Sequence, residues 1–219
     1  MTTIIGIQGE TFALLCADSQ ISDVDDSGYA TQVVTMREGT GKVQTNGRYL
    51  IGAAGDVRAI NLLHHAFTPP AAPPNLKGKK LDHFFTIKFI PALRECFETQ
   101  GYATPDNESK QHMAEMDSSL LVAINGTIYA VDGDYSWYSD VNGTYAIGTG
   151  AQYAMGALHA LQGRTRPSIQ VARKCALKSL SAASRFDPYT GSPYHVHVQD
   201  TTKEKASKVV ETSKRRASK

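Results

Sequence analysis

The chain has 219 residues, enough for one large or two small domains and a sizeable core. Hydrophobic residues make up 41% and charged residues 20%, the balance of an ordinary globular protein, and no run approaches the roughly 18 apolar residues of a membrane span. The net charge of +2 conceals a segregation: residues 201–219 carry five lysines and two arginines against Glu204 and Glu211, a local +5 that leaves −3 on residues 1–200. The basic stretch reads foremost as a solvated, frayed end or weak helix, and otherwise as an arm for an acidic partner surface or nucleic acid. The chain does not open with the basic region and apolar core of a signal peptide. Cys16, Cys96 and Cys175 are odd in number and far apart, so they read as reduced, buried thiols of a cytoplasmic protein, with neither a metal site nor a cofactor expected.

Two β-branched and apolar runs, Thr3–Gln8 and Phe12–Asp18, flank Gly9-Glu10-Thr11 and predict a hairpin. A small second residue permits removal of Met1, which would leave Thr2 as the first residue. Such a threonine carries a hydroxyl and a free α-amine of pKa about 7.7–8.0, so one residue supplies both nucleophile and base. Met-Thr-Thr alone reads foremost as the start of an ordinary edge strand, and only partners further along the chain change that reading.

Residues 19–41 are rich in Asp, Ser, Thr and Gly. Residues 29–36 suit a strand, while Asp23, Asp25 and Asp26 mark an exposed loop without the spacing of a calcium-binding loop. Lys42-Val43-Gln44, an Asn46-Gly47 type I′ signal and the return at residues 49–54 make a second hairpin that ends in Gly52-Ala53-Ala54-Gly55. Asp56 then caps a helix with Val57, Ile60, Leu62 and Leu63 on its apolar face, and His64 and His65 suit the dipole at its C-terminal end. Four prolines make residues 68–80 a linker, and residues 81–100 read as a helix interrupted at Pro91. Residues 101–117 are polar and loop-like.

A second β region follows, with strands at 120–124, 127–131, 135–138 and 144–147 separated by Asn125-Gly126, Asp132-Gly133 and Asn142-Gly143. Gly148-Thr149-Gly150 leads into an alanine-rich helix at 151–161, and Arg166-Pro167-Ser168 caps another at 169–184. Asp187-Pro188-Tyr189-Thr190-Gly191 turns into a strand at 194–198, where His195 and His197 share a face and read as surface residues rather than ligands. Hairpins, two helices, strands, two helices and a strand bury every apolar face as an α+β sandwich of four layers, two mostly antiparallel sheets with helices outside both.

In this order the motifs resemble the proteasome-type β-subunit family of N-terminal-nucleophile (Ntn) hydrolases. That family includes proteasome β subunits and, nearest in organisation, the leaderless peptidase ring of the bacterial two-component ATP-dependent protease. Thr2-Thr3-Ile4-Ile5-Gly6 is similar to the family's mature N-terminus, Ala17-Asp18-Ser19 to the end of its second strand, and Lys42-Val43 to the segment of its active-site lysine. Ala54-Gly55 resembles the turn that supplies an oxyanion donor, Gly148-Thr149-Gly150 the Gly-Ser-Gly stretch, and Asp187-Pro188-Tyr189-Thr190-Gly191 the late Asp-x-Tyr-Ser-Gly motif. Thr149 and Thr190 stand where the family has serine, which keeps the hydroxyl and adds a methyl group. The long segment between Asp18 and Lys42 and the basic tail are departures that touch the substrate channel and the assembly contacts.

The resemblance implies an Ntn-hydrolase domain over residues 1–200, a basic tail over 201–219, and a threonine endopeptidase. Thr2 would be the nucleophile, Lys42 would favour its alkoxide, Asp18 would orient Lys42, and the Gly55 N–H would hold the oxyanion. Thr149, Asp187 and Thr190 would set the orientation and pKa of the amine. Ile21, Ala53 and Val57 would line an apolar pocket for the side chain preceding the cleaved bond. The implied substrate is a peptide or unfolded protein, and the implied partners are copies of the chain in a self-compartmentalised ring and an ATPase unfoldase or other cap, with no membrane or nucleic acid. A small-amide hydrolase and a non-catalytic structural or assembly component on the same fold remain alternatives.

Overall fold

The computed structural model describes residues 2–37, 39–102, 115–163 and 166–202, together with the backbone of residues 207–209. Met1 and most of the tail lie outside the described residues. In chain order the strands are β1 (Thr3–Gln8), β2 (Phe12–Asp18), β3 (Gln20–Val24), β4 (Ala30–Thr35), β5 (Val43–Asn46) and β6 (Tyr49–Gly55). After helix α1 (Val57–His65) come α2 (Lys79–Phe84), a π-helical turn (Phe85–Phe89) and α3 (Ile90–Thr99). Strands β7 (Ser118–Ile124), β8 (Thr127–Val131), β9 (Trp137–Tyr138) and β10 (Thr144–Gly148) precede helices α4 (Ala151–Leu161) and α5 (Ile169–Phe186), and β11 (Tyr194–Asp200) and β12 (Ser207–Val209) follow.

The strands form one five-stranded sheet in the order β10-β1-β2-β11-β12 and another in the order β5-β6-β7-β8-β9, antiparallel throughout, plus a separate β3–β4 ribbon. Alternation along β1 and β2 explains the layering. Ile5, Ile7, Leu14 and Cys16 face α4 and α5, where Leu158, Ala172, Ala176, Leu180 and Ala183 meet them. Ile4, Ala13, Leu15 and Ala17 point the other way and pack with Val43, Leu50, Leu121, Ile128 and Ile147 between the sheets. A third core lies between the second sheet and α1, α2 and α3, centred on Leu63, Phe85, Phe89, Leu93, Phe97 and Tyr129. The α+β four-layer sandwich is therefore observed.

Several local expectations change. The segment expected as an interrupted helix is one continuous helical run from Lys79 to Thr99, with a wide turn placed just before Pro91, where the Ile90 N–H bonds back to the Phe85 carbonyl. Proline has no N–H and its ring crowds the preceding turn, so widening that turn relieves the conflict without ending the helix. The loop between β5 and β6 is Gly47-Arg48 with positive φ at Gly47 alone (58°), the type II′ pattern in place of I′. Asn125-Gly126 makes the turn expected there, and its φ of 51° and 83° give it the I′ pattern. The segment after Asp18 is a hairpin that includes Asp23 in β3, with Asp25 Oδ1 accepting the Ser27 and Tyr29 N–H groups at its tip. The strand expected at 135–138 shrinks to Trp137–Tyr138 because Tyr135 takes a positive φ of 64° in the turn. Lys79 and Lys80 open α2 instead of closing the linker, and α5 extends to Phe186. His197 is buried, not superficial, because β11 lies inside the sheet, covered by β2 and by β12 from the basic stretch.

Phe85 is fully buried, its ring centroid 4.1 Å from that of Tyr129 and 4.7 Å from that of Phe89. Phe85→Ala is expected to cost about 3–5 kcal/mol, read as a lowered urea midpoint with unchanged slope.

Candidate active site

Strand β2 ends at Asp18, flanked on both sides by β1 and β11. Its carboxylate is enclosed by four donors. Oδ1 accepts Lys42 Nζ at 2.7 Å and the Thr3 N–H at 2.9 Å, and Oδ2 accepts the Gln20 and Gly191 N–H groups, each at 3.1 Å. Lys42 Nζ also donates to the Gln20 carbonyl at 2.6 Å. Both side chains of the pair are enclosed, exposed by 1% and 0% for Lys42 and Asp18, so the pair is not a solvated surface bridge. Burial pushes the Lys42 ammonium below its usual range, and the neighbouring Asp18 charge works against that shift.

A second polar cluster joins the start of α4 to the turn after α5. Asp187 Oδ2 accepts Thr149 Oγ1 at 2.8 Å and Thr190 Oγ1 at 2.5 Å. Thr190 Oγ1 lies 2.6 Å from Thr3 Oγ1, which accepts the Gly150 N–H at 3.1 Å. A carboxylate only accepts, so the Thr190 proton goes to Asp187 and the Thr3 hydroxyl donates to Thr190. The result is a directed chain from Gly150 through Thr3 and Thr190 to Asp187. Thr3 also binds Asp18 through its own N–H, so it connects the two clusters.

The Gly-Thr-Gly stretch has a steric reason. Gly148 has φ of 93°, and a Cβ there would lie 1.9 Å from the Thr2 carbonyl oxygen. A Cβ on Gly150 would lie 2.3 Å from Thr3 Oγ1 and 2.9 Å from Asp187 Oδ2, inside the hydrogen-bond chain. With these two side chains absent, the Thr149 N–H reaches the Thr2 carbonyl at 2.9 Å. The Cβ position of Gly148 is also 3.4 Å from the Ala54 Cβ near the end of β6.

The three residues expected to form a substrate pocket sit in different settings. Ala53 is wholly buried on the α1 side of β6 with Ile51, Ala59 and Ile60. Val57 is half-buried at the first position of α1, and Ile21 is half-buried in β3 opposite Val34. Sequence reasoning missed the roles of Thr3, Gln20, Gly150 and Gly191. The signal for Thr3 was its place on β1: the strand alternation turns it to the same side as Ile5, toward Gly150 and Thr190, and away from Ile4. Among the described residues no group of three His, Cys, Asp or Glu side chains is placed to hold a metal ion, and no helix is long and apolar enough to cross a membrane.

Two antiparallel sheets between two helical layers make a four-layer sandwich consistent with an Ntn-type fold, and the polar clusters gather where β1 begins. No family model matches the sequence. Among solved structures, the chain is similar to Thiobacillus denitrificans BPH, with a TM-score of 0.68 and 17% identity over 91% of this chain and 98% of that one. It is likewise similar to Thiobacillus denitrificans BPH in complex with epoxomicin, with a TM-score of 0.64 and 17% identity over the same shares of both chains, 91% and 98%. At this identity the likeness is one of fold.

Proposed function

We propose that the chain is a threonine peptidase that uses Thr2 as nucleophile once the residue before it is removed. The observation that carries this reading is the convergence, at the residue following Thr2, of the buried Asp18–Lys42 pair and the Thr149–Asp187–Thr190 cluster. Continued two residues back from Ile4, the strand alternation turns Thr2 toward the second sheet, to which the Lys42-Val43 segment and the end of β6 belong.

The chemistry follows from those groups. The Thr2 hydroxyl attacks the scissile carbonyl and its α-amine takes the proton. The Lys42 charge favours the alkoxide, and the Gly55 N–H binds the oxyanion, a donor whose removal costs about 2.7–4 kcal/mol in comparable sites. The ammonium then returns the proton to the departing amine, and water, deprotonated by the same amine, releases the acyl group from the Thr2 ester. Incubation with a peptide epoxyketone tests this: intact mass should show one adduct on a chain that begins at Thr2. An unmodified chain, or one active with Met1 fully retained, would refute it. The complex of Thiobacillus denitrificans BPH with epoxomicin supports the choice of probe.

The substrate is proposed to be peptide or unfolded protein, cleaved inside a ring of identical copies fed by an ATPase or other cap. An unspecific peptidase needs such a chamber, and a stable, active monomer in light scattering would contradict it. Cleavage is expected after apolar residues, because the half-buried Val57 and Ile21 offer a charged side chain no partner, while Ala53 is enclosed in the core on the α1 side of β6. A peptide library read by mass spectrometry checks this: dominant cleavage after Lys or Arg would instead implicate the exposed Asp23, Asp25 and Asp26 of the β3–β4 ribbon.

A further inference from the structure

We infer that Gln20, the first residue of the β3–β4 ribbon, is a positioning residue that holds the turn from Asp187 to Gly191 against the Asp18–Lys42 pair; this rests on the peptidase reading of the same site. Gln20 touches both halves of the machinery. Its backbone belongs to the first half: the N–H donates to Asp18 Oδ2 at 3.1 Å and the carbonyl accepts Lys42 Nζ at 2.6 Å. Its side chain reaches the second half: Nε2 donates to the Pro188 carbonyl at 2.7 Å, within two residues of both Asp187 and Thr190.

The fit over the turn is close. A Cβ placed on Gly191 would lie 2.1 Å from Gln20 Oε1, so the amide rests where any larger residue would stand. Ser22 Oγ accepts a second hydrogen bond from Nε2 at 2.9 Å and fixes the amide in that orientation. Ordering so flexible a side chain is entropically costly, and two donated bonds offset that cost. Further ties run alongside. The Gly191 N–H reaches Asp18 Oδ2 at 3.1 Å, the Ser19 N–H reaches the Gly191 carbonyl at 3.2 Å, and the Tyr189 hydroxyl donates to the Gly28 carbonyl near the ribbon tip. The ribbon therefore clasps the turn at both of its ends. Asp187 and Thr190 stay within reach of Thr149 and Thr3 only if this turn does not drift, and a displacement of about 1 Å in a positioning group lowers turnover by about 100-fold.

Three measurements test the assignment. Gln20→Met keeps the bulk over Gly191 and removes the donor, Gln20→Ala removes both, and Tyr189→Phe releases the tip. Gln20→Met is expected to lower kcat by about tenfold with KM within about twofold, Gln20→Ala by more and Tyr189→Phe by less. Hydrogen exchange gives a readout independent of turnover: the Thr190 and Gly191 amides should exchange faster in Gln20→Met, while the Ala183 amide in α5 is unchanged. Wild-type kcat in Gln20→Met, or unaltered exchange in the turn, overturns the inference. If the wild-type protein neither turns over peptide nor takes the epoxyketone, the peptidase reading fails, and the exchange result alone then decides whether Gln20 holds the turn.

Discussion

Lys42→Met is expected to lower peptide turnover by about 10²–10³-fold, the loss that follows removal of one group stabilising a developing negative charge. Methionine has similar length and no charge, so the change isolates the ammonium. Asp18 keeps three backbone donors, from Thr3, Gln20 and Gly191, and these hold the carboxylate in place. The fold should survive, although breaking one side of a buried pair costs about 3–5 kcal/mol. Asp18→Asn is less clean, because an amide presents one acceptor oxygen where the carboxylate presents two, and each carboxylate oxygen receives two donors. Lys42→Arg should not restore activity, since a planar guanidinium does not fit a site shaped for a compact ammonium between Asp18 and the Gln20 carbonyl.

The same lysine makes a pH prediction. Its folded-state pKa is lowered, mainly by burial, while the unfolded chain keeps a value of about 10.4. The unfolded state then binds the proton more tightly, so this group is most unfavourable to folding at pH below its folded pKa. Stability should rise with pH between the folded value and about 10.4. Urea midpoints measured across that window should show the rise in the wild type and lose this component in Lys42→Met.

Legibility in the sequence followed the range of the interactions. Strands β1, β2, β7 and β8 could be read because β-branched runs end at glycine turns, and α4 because Gly150 stands directly before its first residue. Ser168 marked the start of α5, where its hydroxyl accepts the Val171 N–H. The β3–β4 ribbon could be read only in part, since β4 is exposed along its whole length and leaves no apolar alternation. The pairing of β10 with β1 was not legible, because β10 follows the strands of the second sheet and crosses to the first. In the site, Asp18, Lys42, Thr149, Asp187 and Thr190 stood out as polar residues in motifs. Thr3 and Gln20 did not: a threonine in a strand and a glutamine after a serine look ordinary until the Asp187–Gly191 turn is brought against them.

Thr2→Ala should abolish peptide turnover, by at least about 10⁴-fold, and prevent the epoxyketone adduct. The residue carries two functions at once, so the hydroxyl and the amine must be separated by different variants. Thr2→Ala removes the hydroxyl and leaves a free amine. A short extension placed before Thr2 leaves the hydroxyl and converts the amine to an amide, which accepts no proton near neutral pH. Both are expected to be inactive, whereas Thr2→Ser, which keeps both groups, should retain measurable turnover. Thr3→Ala serves as the contrast: it breaks the link to Thr190 while keeping the Thr3 N–H on Asp18, so it should slow adduct formation without eliminating it. An adduct formed as readily in Thr2→Ala as in the wild type would place the nucleophile elsewhere. An active extended chain would show instead that the base is not the α-amine, and Lys42, whose ammonium burial makes easier to deprotonate, would be the group to take its place.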